Sequence, residues 1–225
     1  MRRGRNVPVV DGLEGDWIKA PWVTIDGRTE AAMQTGNDKL FVAVRSADPG
    51  HERLTRNVAD SKTIFFKGAG AIDLQLGTDP TAALDRTKPV LGDLRLLVTQ
   101  HQGKPTATLY RPVSDNTQRR ETFTSPVQTV AIDEVLDASP DLELKEAHTA
   151  EHSFYEFSIP LKLLRLEPDA NKALRGDIGV IIGNAIETTA RAYWHSKRMT
   201  IVTDIPTEAS LHPQHWGALR FEKAE

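Results

Sequence analysis

Apolar and polar residues alternate in short runs along most of this chain, and turn-forming residues cut the runs apart. The clearest run is Leu40-Phe41-Val42-Ala43-Val44-Arg45-Ser46, in which Leu40, Val42 and Val44 fall on one face of a strand. Gly36-Asn37-Asp38 supplies a turn before it, and Asp48-Pro49-Gly50 ends it. The same alternation predicts strands over residues 71–76, 94–100, 106–110, 127–132, 142–147, 154–159, 190–194 and 218–221, and Ala31-Ala32-Met33 lies on a further candidate strand. Residues 178–186 form a longer, mostly apolar run, as in a central strand covered on both faces. Helical signal is confined to residues 161–166, after Pro160, and residues 170–174; both are short of an ordinary helix. The fold class expected is all-β: an antiparallel β-sandwich, jelly-roll-like, with one or two short helical turns. No repeat, low-complexity run or linker divides the chain, so residues 1–225 read as one domain with 1–6 frayed. The longest irregular stretches are 49–62, 78–92 and 110–125; loops of this kind at the ends of a sandwich are where binding usually sits.

Composition narrows the function classes. A chain of 225 residues buries roughly 70% of its unfolded surface and needs no covalent staples. With no cysteine, a disulfide framework, a thiolate zinc site and a cysteine nucleophile are excluded. The net charge of −3 provides no global basic field for nucleic acid. Arg2, Arg3 and Arg5 read as a solvated terminus. No run approaches ~18 apolar residues, so no membrane insertion is expected. No apolar segment of signal-peptide length follows the N-terminal arginines.

Motif chemistry points away from catalysis. Gly68-Ala69-Gly70 has Asp73 where a dinucleotide loop needs its third glycine, and a strand follows where a helix should. There is no phosphate-binding loop, nucleophile elbow or His-Glu-X-X-His. His212 and His215 read as loop histidines, and Arg175-Gly176-Asp177 as a turn. Aromatic residues make up only 6% of the chain, so their placement carries weight. Trp17, Trp22 and Trp216 read as packing residues. Trp194 follows Tyr193 and precedes the polar run His195-Ser196-Lys197-Arg198. An indole at a strand end among polar side chains suits stacking on the apolar face of a sugar, with neighbouring polar groups bonding its hydroxyls. Trp194 would then be the platform, Arg191, His195 and Asn184 the polar contacts, and Phe66 a second wall. The alternative is Trp194 as a hydrophobic lid on the end of the sandwich.

Several segments, in order, resemble the family 9 carbohydrate-binding modules and the wider DOMON-like sandwich superfamily. They are Asp11-Gly12 with Asp16-Trp17; Asp38-Lys39-Leu40-Phe41-Val42-Ala43-Val44 with Asp48; Asp73-Leu74-Gln75-Leu76; Tyr155-Glu156-Phe157-Ser158-Ile159-Pro160; Gly176-Asp177-Ile178-Gly179; Trp194; and Trp216-Gly217-Ala218-Leu219-Arg220-Phe221. Gly92 to Leu97 and the stretch from Tyr193 through Asp204-Ile205-Pro206-Thr207-Glu208 also resemble a variant of such modules in large surface proteins of environmental bacteria. The resemblance implies a noncatalytic β-sandwich that binds an oligo- or polysaccharide, often with structural calcium. It also implies an extracellular, cell-surface or periplasmic setting. In sugar-binding members two tryptophans clamp the sugar. Trp194 matches one, and Gly70 stands in the position of the other, with Phe65 and Phe66 nearby. Asp11, Asp16 and Asp48 are the candidate Ca²⁺ ligands, with turn capping as their other reading.

Two further functions are compatible with that resemblance. One is a structural or interaction module among the other domains of a larger exported protein, without a sugar site. The other is haem b binding, as in some DOMON-like relatives, for which Met33 and Met199 are the internal methionines available as axial ligands.

Overall fold

The computed structural model describes residues 2–3, 7–47, 55–56, 65–68, 70–169, 171–183, 188–197 and 205–221. Two mostly antiparallel sheets pack face to face. The first carries, in spatial order, β1 (Arg2–Arg3), β3 (Thr29–Gly36), β4 (Lys39–Ser46), β13 (Ser153–Pro160) and β12 (Glu143–His148), with β2 (Val23–Thr24) also on β3. Arg2 and Arg3, in the stretch expected to fray, pair in parallel with Gln34 and Thr35. The second sheet runs β11 (Glu134–Asp137), β8 (Lys104–Arg111), β7 (Asp93–His101), β6 (Ala71–Gly77), β14 (Ala173–Gly183) and β15 (Thr188–Tyr193). The short β5 (Thr55–Arg56) joins β7, and β16 (Gly217–Arg220) joins β14. A separate hairpin is formed by β9 (Glu121–Thr124) and β10 (Thr129–Ile132).

Two tight hairpins set the register. Asn37 and Asp38 have φ of 47° and 57° between the Gly36↔Lys39 pair, and Gln102 and Gly103 have φ of 52° and 72° between His101 and Lys104. Positive φ at both central residues is the two-residue turn whose twist suits antiparallel strands. The long strand β14 is an interior strand of the second sheet. One of its edges pairs with β6 along its length, and the other is shared by β16 at its start and β15 at its end. Two differences from the sequence reading stand out. Within the stretch 170–174 expected to form a helical turn, Ala173 and Leu174 instead begin β14 and pair with Arg220 and Leu219. A helix α2 (Ile205–Ala209) forms where only a landmark was read, while α1 (Leu161–Leu164) forms as expected after Pro160.

Alternation sorts the strand side chains into layers. Leu40, Val42 and Val44 meet Tyr155, Phe157 and Ile159 in the inter-sheet core, opposite Leu74, Leu76, Leu96, Val98, Ile178 and Val180. The outer face of the first sheet packs Phe41, Ala43 and Phe154 under Trp17 from the N-terminal segment. The outer face of the second sheet is roofed too. Phe65, Phe66, Phe123 of the hairpin and Ala209 of α2 lie over Ala71, Leu97, Tyr110 and Ile181. Both sheets are therefore covered on both sides, and the roof over the second sheet decides which side chains a ligand can reach.

Candidate functional site

The Asp-Gly and Asp-Trp pairs at the start of the chain are anchored by one carboxylate. Glu156, on β13 between core-facing Tyr155 and Phe157, points to the outer face of the first sheet and is fully buried. It accepts hydrogen bonds from the amides of Asp11 (2.7 Å) and Gly12 (2.6 Å) and from the Trp17 indole (2.8 Å). Burial raises its pKa above the usual carboxylate value, and the bonds from Gly12 and Trp17 work against that rise. Asp177 plays the same part for the turn after β15, accepting from the amides of His195 (3.0 Å) and Ser196 (2.7 Å). Burial raises its pKa as well.

Strand parity divides the residues predicted to contact a sugar. On β15, Arg191 and Tyr193 point to the outer face of the second sheet, whereas Ala192 and Trp194 pack against the inter-sheet core. Trp194 is half-buried at the rim of the sandwich, with the exposed His195 ring edge-on to it at 4.4 Å between centroids. Both rings press on Gly217, where a Cβ would stand 2.3 Å from the His195 ring and 2.7 Å from Trp194. Arg191 and Phe66 do come together, because the Arg191 guanidinium donates to the Phe66 carbonyl. Phe66 has no exposed surface, and its ring is enclosed by Tyr110, Phe123 and Arg95. It therefore offers no face for stacking as the roof stands. Asn184 lies outside the described residues.

The outer face beneath the roof holds charges that sequence reasoning missed. Asp73 on β6 and Arg95 on β7 form a fully buried ion pair, with Arg95 Nη2 2.6 Å from Asp73 Oδ2. The Tyr193 hydroxyl donates to the same carboxylate at 2.6 Å. Burial opposes the Arg95 charge, but Asp73 and Tyr193 outweigh it and hold the guanidinium charged. Burial and then Asp73 push the Tyr193 phenol up, so it stays a donor. From the roof, Glu208 Oε2 meets Arg191 Nη2 at 2.5 Å, and the Glu208 carbonyl accepts from Arg95 Nη1 at 2.7 Å. The available signal was a charge on alternate positions of two neighbouring strands, in Asp73-Leu74-Gln75-Leu76 and Leu94-Arg95-Leu96. That pattern reads as a solvated face until the roof is known.

Two open grooves lie elsewhere. One, of about 580 Å³, is lined by Asp79, Pro80, Leu91, Arg165, Asp169 and Lys172 between the 78–92 loop and the turn after α1. The other, of about 410 Å³, lies between β3, β4 and the 152 turn. In it Arg45 is paired with Glu30 at 2.7 Å and lies over the Trp22 ring at 4.3 Å. In the first groove Lys172 lies 3.7 Å from Asp169 and Phe221 contributes a ring to the lining; in the second, Arg45 and His152 are held by Glu30 and Glu14.

The candidate metal ligands are placed as turn caps. Asp11 accepts from the Leu13 amide at 2.9 Å, and Asp16 from the Val9 amide at 2.9 Å. Asp48 lies outside the described residues. Among the described residues no group of three or more His, Asp or Glu side chains is arranged to hold a metal ion. Met33 is buried in the inter-sheet core, and Met199 lies outside the described residues. Among the described residues, no helix is long and apolar enough to cross a membrane.

No protein-family model and no curated protein matches the sequence. Solved structures match along its whole length. A family 9 carbohydrate binding module from Caldicellulosiruptor kristjanssonii in complex with glucose is 14% identical, covering 99% of this chain and 95% of that one with a TM-score of 0.56. Its complex with cellotriose gives 15% identity, 99% and 93% coverage, and a TM-score of 0.57. A candidate carbohydrate-binding protein from Bacteroides uniformis ATCC 8492 is 11% identical over 99% of this chain and 98% of that one, with a TM-score of 0.52. The chain thus has the fold of the family 9 carbohydrate-binding modules.

Proposed function

We propose that this protein is a noncatalytic saccharide-binding module. The observation that carries the reading is the end-to-end structural correspondence with modules seen holding glucose and cellotriose. One fold hosts many functions, so the residues must bear part of the argument. Trp194 is the predicted contact that keeps some exposed ring surface, and His195 beside it supplies a polar edge. The proposed platform is therefore the rim at the end of β15, with Trp194 as the stacking surface. The same correspondence supports an exported setting and the absence of catalysis. The test is a broad glycan array probed with the wild type and Trp194→Ala. The expected result is retention of at least one glycan by the wild type and its loss in the variant. Unchanged retention in Trp194→Ala overturns the assignment of the platform.

A second reading, a structural or interaction module without a sugar site, is favoured by the roof over the second sheet. Phe66 is sealed inside it, and Arg191 is committed to Glu208. A wild type that retains no glycan decides for this reading.

A further inference from the structure

Strand register places three polar side chains in a row on the outer face of the first sheet. Thr24 on β2 stands opposite Glu30 on β3, and Glu30 stands opposite Arg45 on β4. Opposite residues share a face, with their Cβ atoms about 5 Å apart. All three line the open groove of about 410 Å³.

Their hydrogen-bonding capacity is only partly used. Arg45 Nε and Nη2 both donate to Glu30 Oε2, at 2.9 and 2.7 Å. Among the described residues Glu30 Oε1 and the Thr24 hydroxyl have no hydrogen-bond partner. Arg45 Nη1 lies 3.6 Å from Glu14 Oε2, too far for a hydrogen bond. Asp26, in the same groove, caps the Arg28 and Thr29 amides through Oδ1 and leaves Oδ2 open. The guanidinium is nonetheless fixed in place. Glu30 grips it through two nitrogens, and the Trp22 ring lies 4.3 Å from it, its own indole N–H donating to the Trp17 carbonyl at 3.0 Å. A donor oriented in advance loses little freedom when a ligand arrives.

The lining also points to a ligand class. Glu30, Arg45, Glu14 and His152 alternate in kind along the groove, with Glu14 Oε1 2.5 Å from His152 Nε2, and the lining carries no large apolar side chain. A groove of one sign would select an ion, and an apolar one a hydrophobic ligand. Half-exposed donors and acceptors in mixture suit a neutral polyol, whose hydroxyls both give and accept hydrogen bonds. The groove also adjoins the Trp194 rim. The Lys197 amine donates to the Tyr193 carbonyl at 2.6 Å and to the Ile25 carbonyl, and Ile25 and Trp194 pack in the same core cluster. The 24–28 loop that walls the groove is thus tied to the end of β15.

We propose that this groove is a saccharide subsite, in which Arg45 Nη1 and Glu30 Oε1 bond the hydroxyls of a neutral glycan chain that also stacks on Trp194. This rests on the saccharide-binding reading above and adds chain length to it: the ligand is a linear glycan of several units, held at the rim and in the groove together. Two linked contacts raise affinity beyond either alone.

The test titrates cellohexaose, xylohexaose and mannohexaose, and the disaccharide of each series, calorimetrically into the wild type, Glu30→Gln, Arg45→Gln and Trp194→Ala. The Arg45 and Glu30 side chains are 40% and 36% exposed, so neither substitution strands a buried charge. In the series that binds, the expected result is a hexasaccharide at least about tenfold tighter than its disaccharide in the wild type. That advantage should shrink to about twofold in Glu30→Gln and Arg45→Gln, with disaccharide affinity unchanged. Trp194→Ala should weaken both lengths. The wild type gives an independent readout by nuclear magnetic resonance: the Arg45 Nε–H signal should shift with the hexasaccharide and stay in place with the disaccharide. Binding without a length preference in the wild type overturns this inference and leaves the saccharide reading standing. A length preference that survives both groove variants, or an Arg45 signal that the hexasaccharide does not move, also overturns it. Absence of binding to all six sugars overturns both.

Discussion

Glu156 gathers three donors with two oxygens, and that geometry makes a sharp prediction. In Glu156→Gln, the amide oxygen can keep the Asp11 and Gly12 amides, now at 2.7 and 2.6 Å on Oε1. The amide nitrogen then faces the Trp17 indole N–H, which donates to Oε2 at 2.8 Å in the wild type. Two donors confront each other in a buried site. Losing one hydrogen bond to a charged acceptor costs about 1.5–3 kcal/mol. Trp17→Phe removes the indole donor and part of a buried ring, at a cost of about 2 kcal/mol. In the double variant the opposed donors are gone, so its cost should fall short of the sum by about 1–2 kcal/mol. The assay is urea denaturation followed by far-ultraviolet circular dichroism on all four proteins, which does not depend on the tryptophan being altered. Additivity within about 0.5 kcal/mol would refute the reasoning, because it would mean that the two side chains do not interact. The pH dependence adds a check. The folded pKa of Glu156 lies above its ordinary value of 4.5, chiefly through burial. Between those values the native state binds more protons than the unfolded state, so stability from this group falls as pH rises from 4.5. Glu156→Gln should lack that fall, and the stability gap between the two proteins should narrow as pH rises through the window.

Further predictions concern the second sheet and the calcium candidates. Asp73→Asn strands the Arg95 charge, 1% exposed, in the interior and is expected to cost about 3–5 kcal/mol in chemical denaturation; a change under 1 kcal/mol would contradict the network. Gly179→Ala places a Cβ 2.3 Å from the Ala192 carbonyl and 2.4 Å from the Tyr193 ring, so β15 must move away. Its melting temperature should drop by several degrees, with Tyr193 losing protection first. Asp11 and Asp16 serve turns, so melting temperatures in EDTA and in excess Ca²⁺ should coincide within a degree. A Ca²⁺-dependent rise would restore them as ligands.

Most of the sandwich was legible because its strands alternate strictly and its turns carry Gly, Asn and Asp at the bends. Residues 71–76 and 94–100 became β6 and β7 almost to the residue. β9 and β11 were missed because each is only four residues long and neither alternates cleanly: Glu121-Thr122-Phe123-Thr124 has one apolar residue, and Glu134-Val135-Leu136-Asp137 has its two apolar residues side by side. The 170–174 stretch reads as helical from Ala and Leu content alone, and pairing with β16 overrode that weak preference. The site was less legible for a specific reason. Alternation already separates Arg191 and Tyr193 from Ala192 and Trp194, and applying it to the site would have split the predicted cluster across the sheet. The partners of Glu156, Asp177 and Arg191 lie 139, 18 and 17 residues away for the Trp17, His195 and Glu208 contacts. No local pattern encodes such pairings.

The central claim is that the protein holds a saccharide, and affinity electrophoresis of the wild type through gels containing single soluble polysaccharides tests it most directly. Neutral β-glucans, mannans and xylans would be run beside polygalacturonate and alginate. The prediction is retarded migration in at least one gel, reversed by the matching free oligosaccharide. Migration equal to that of a non-binding reference protein in every gel would contradict the claim.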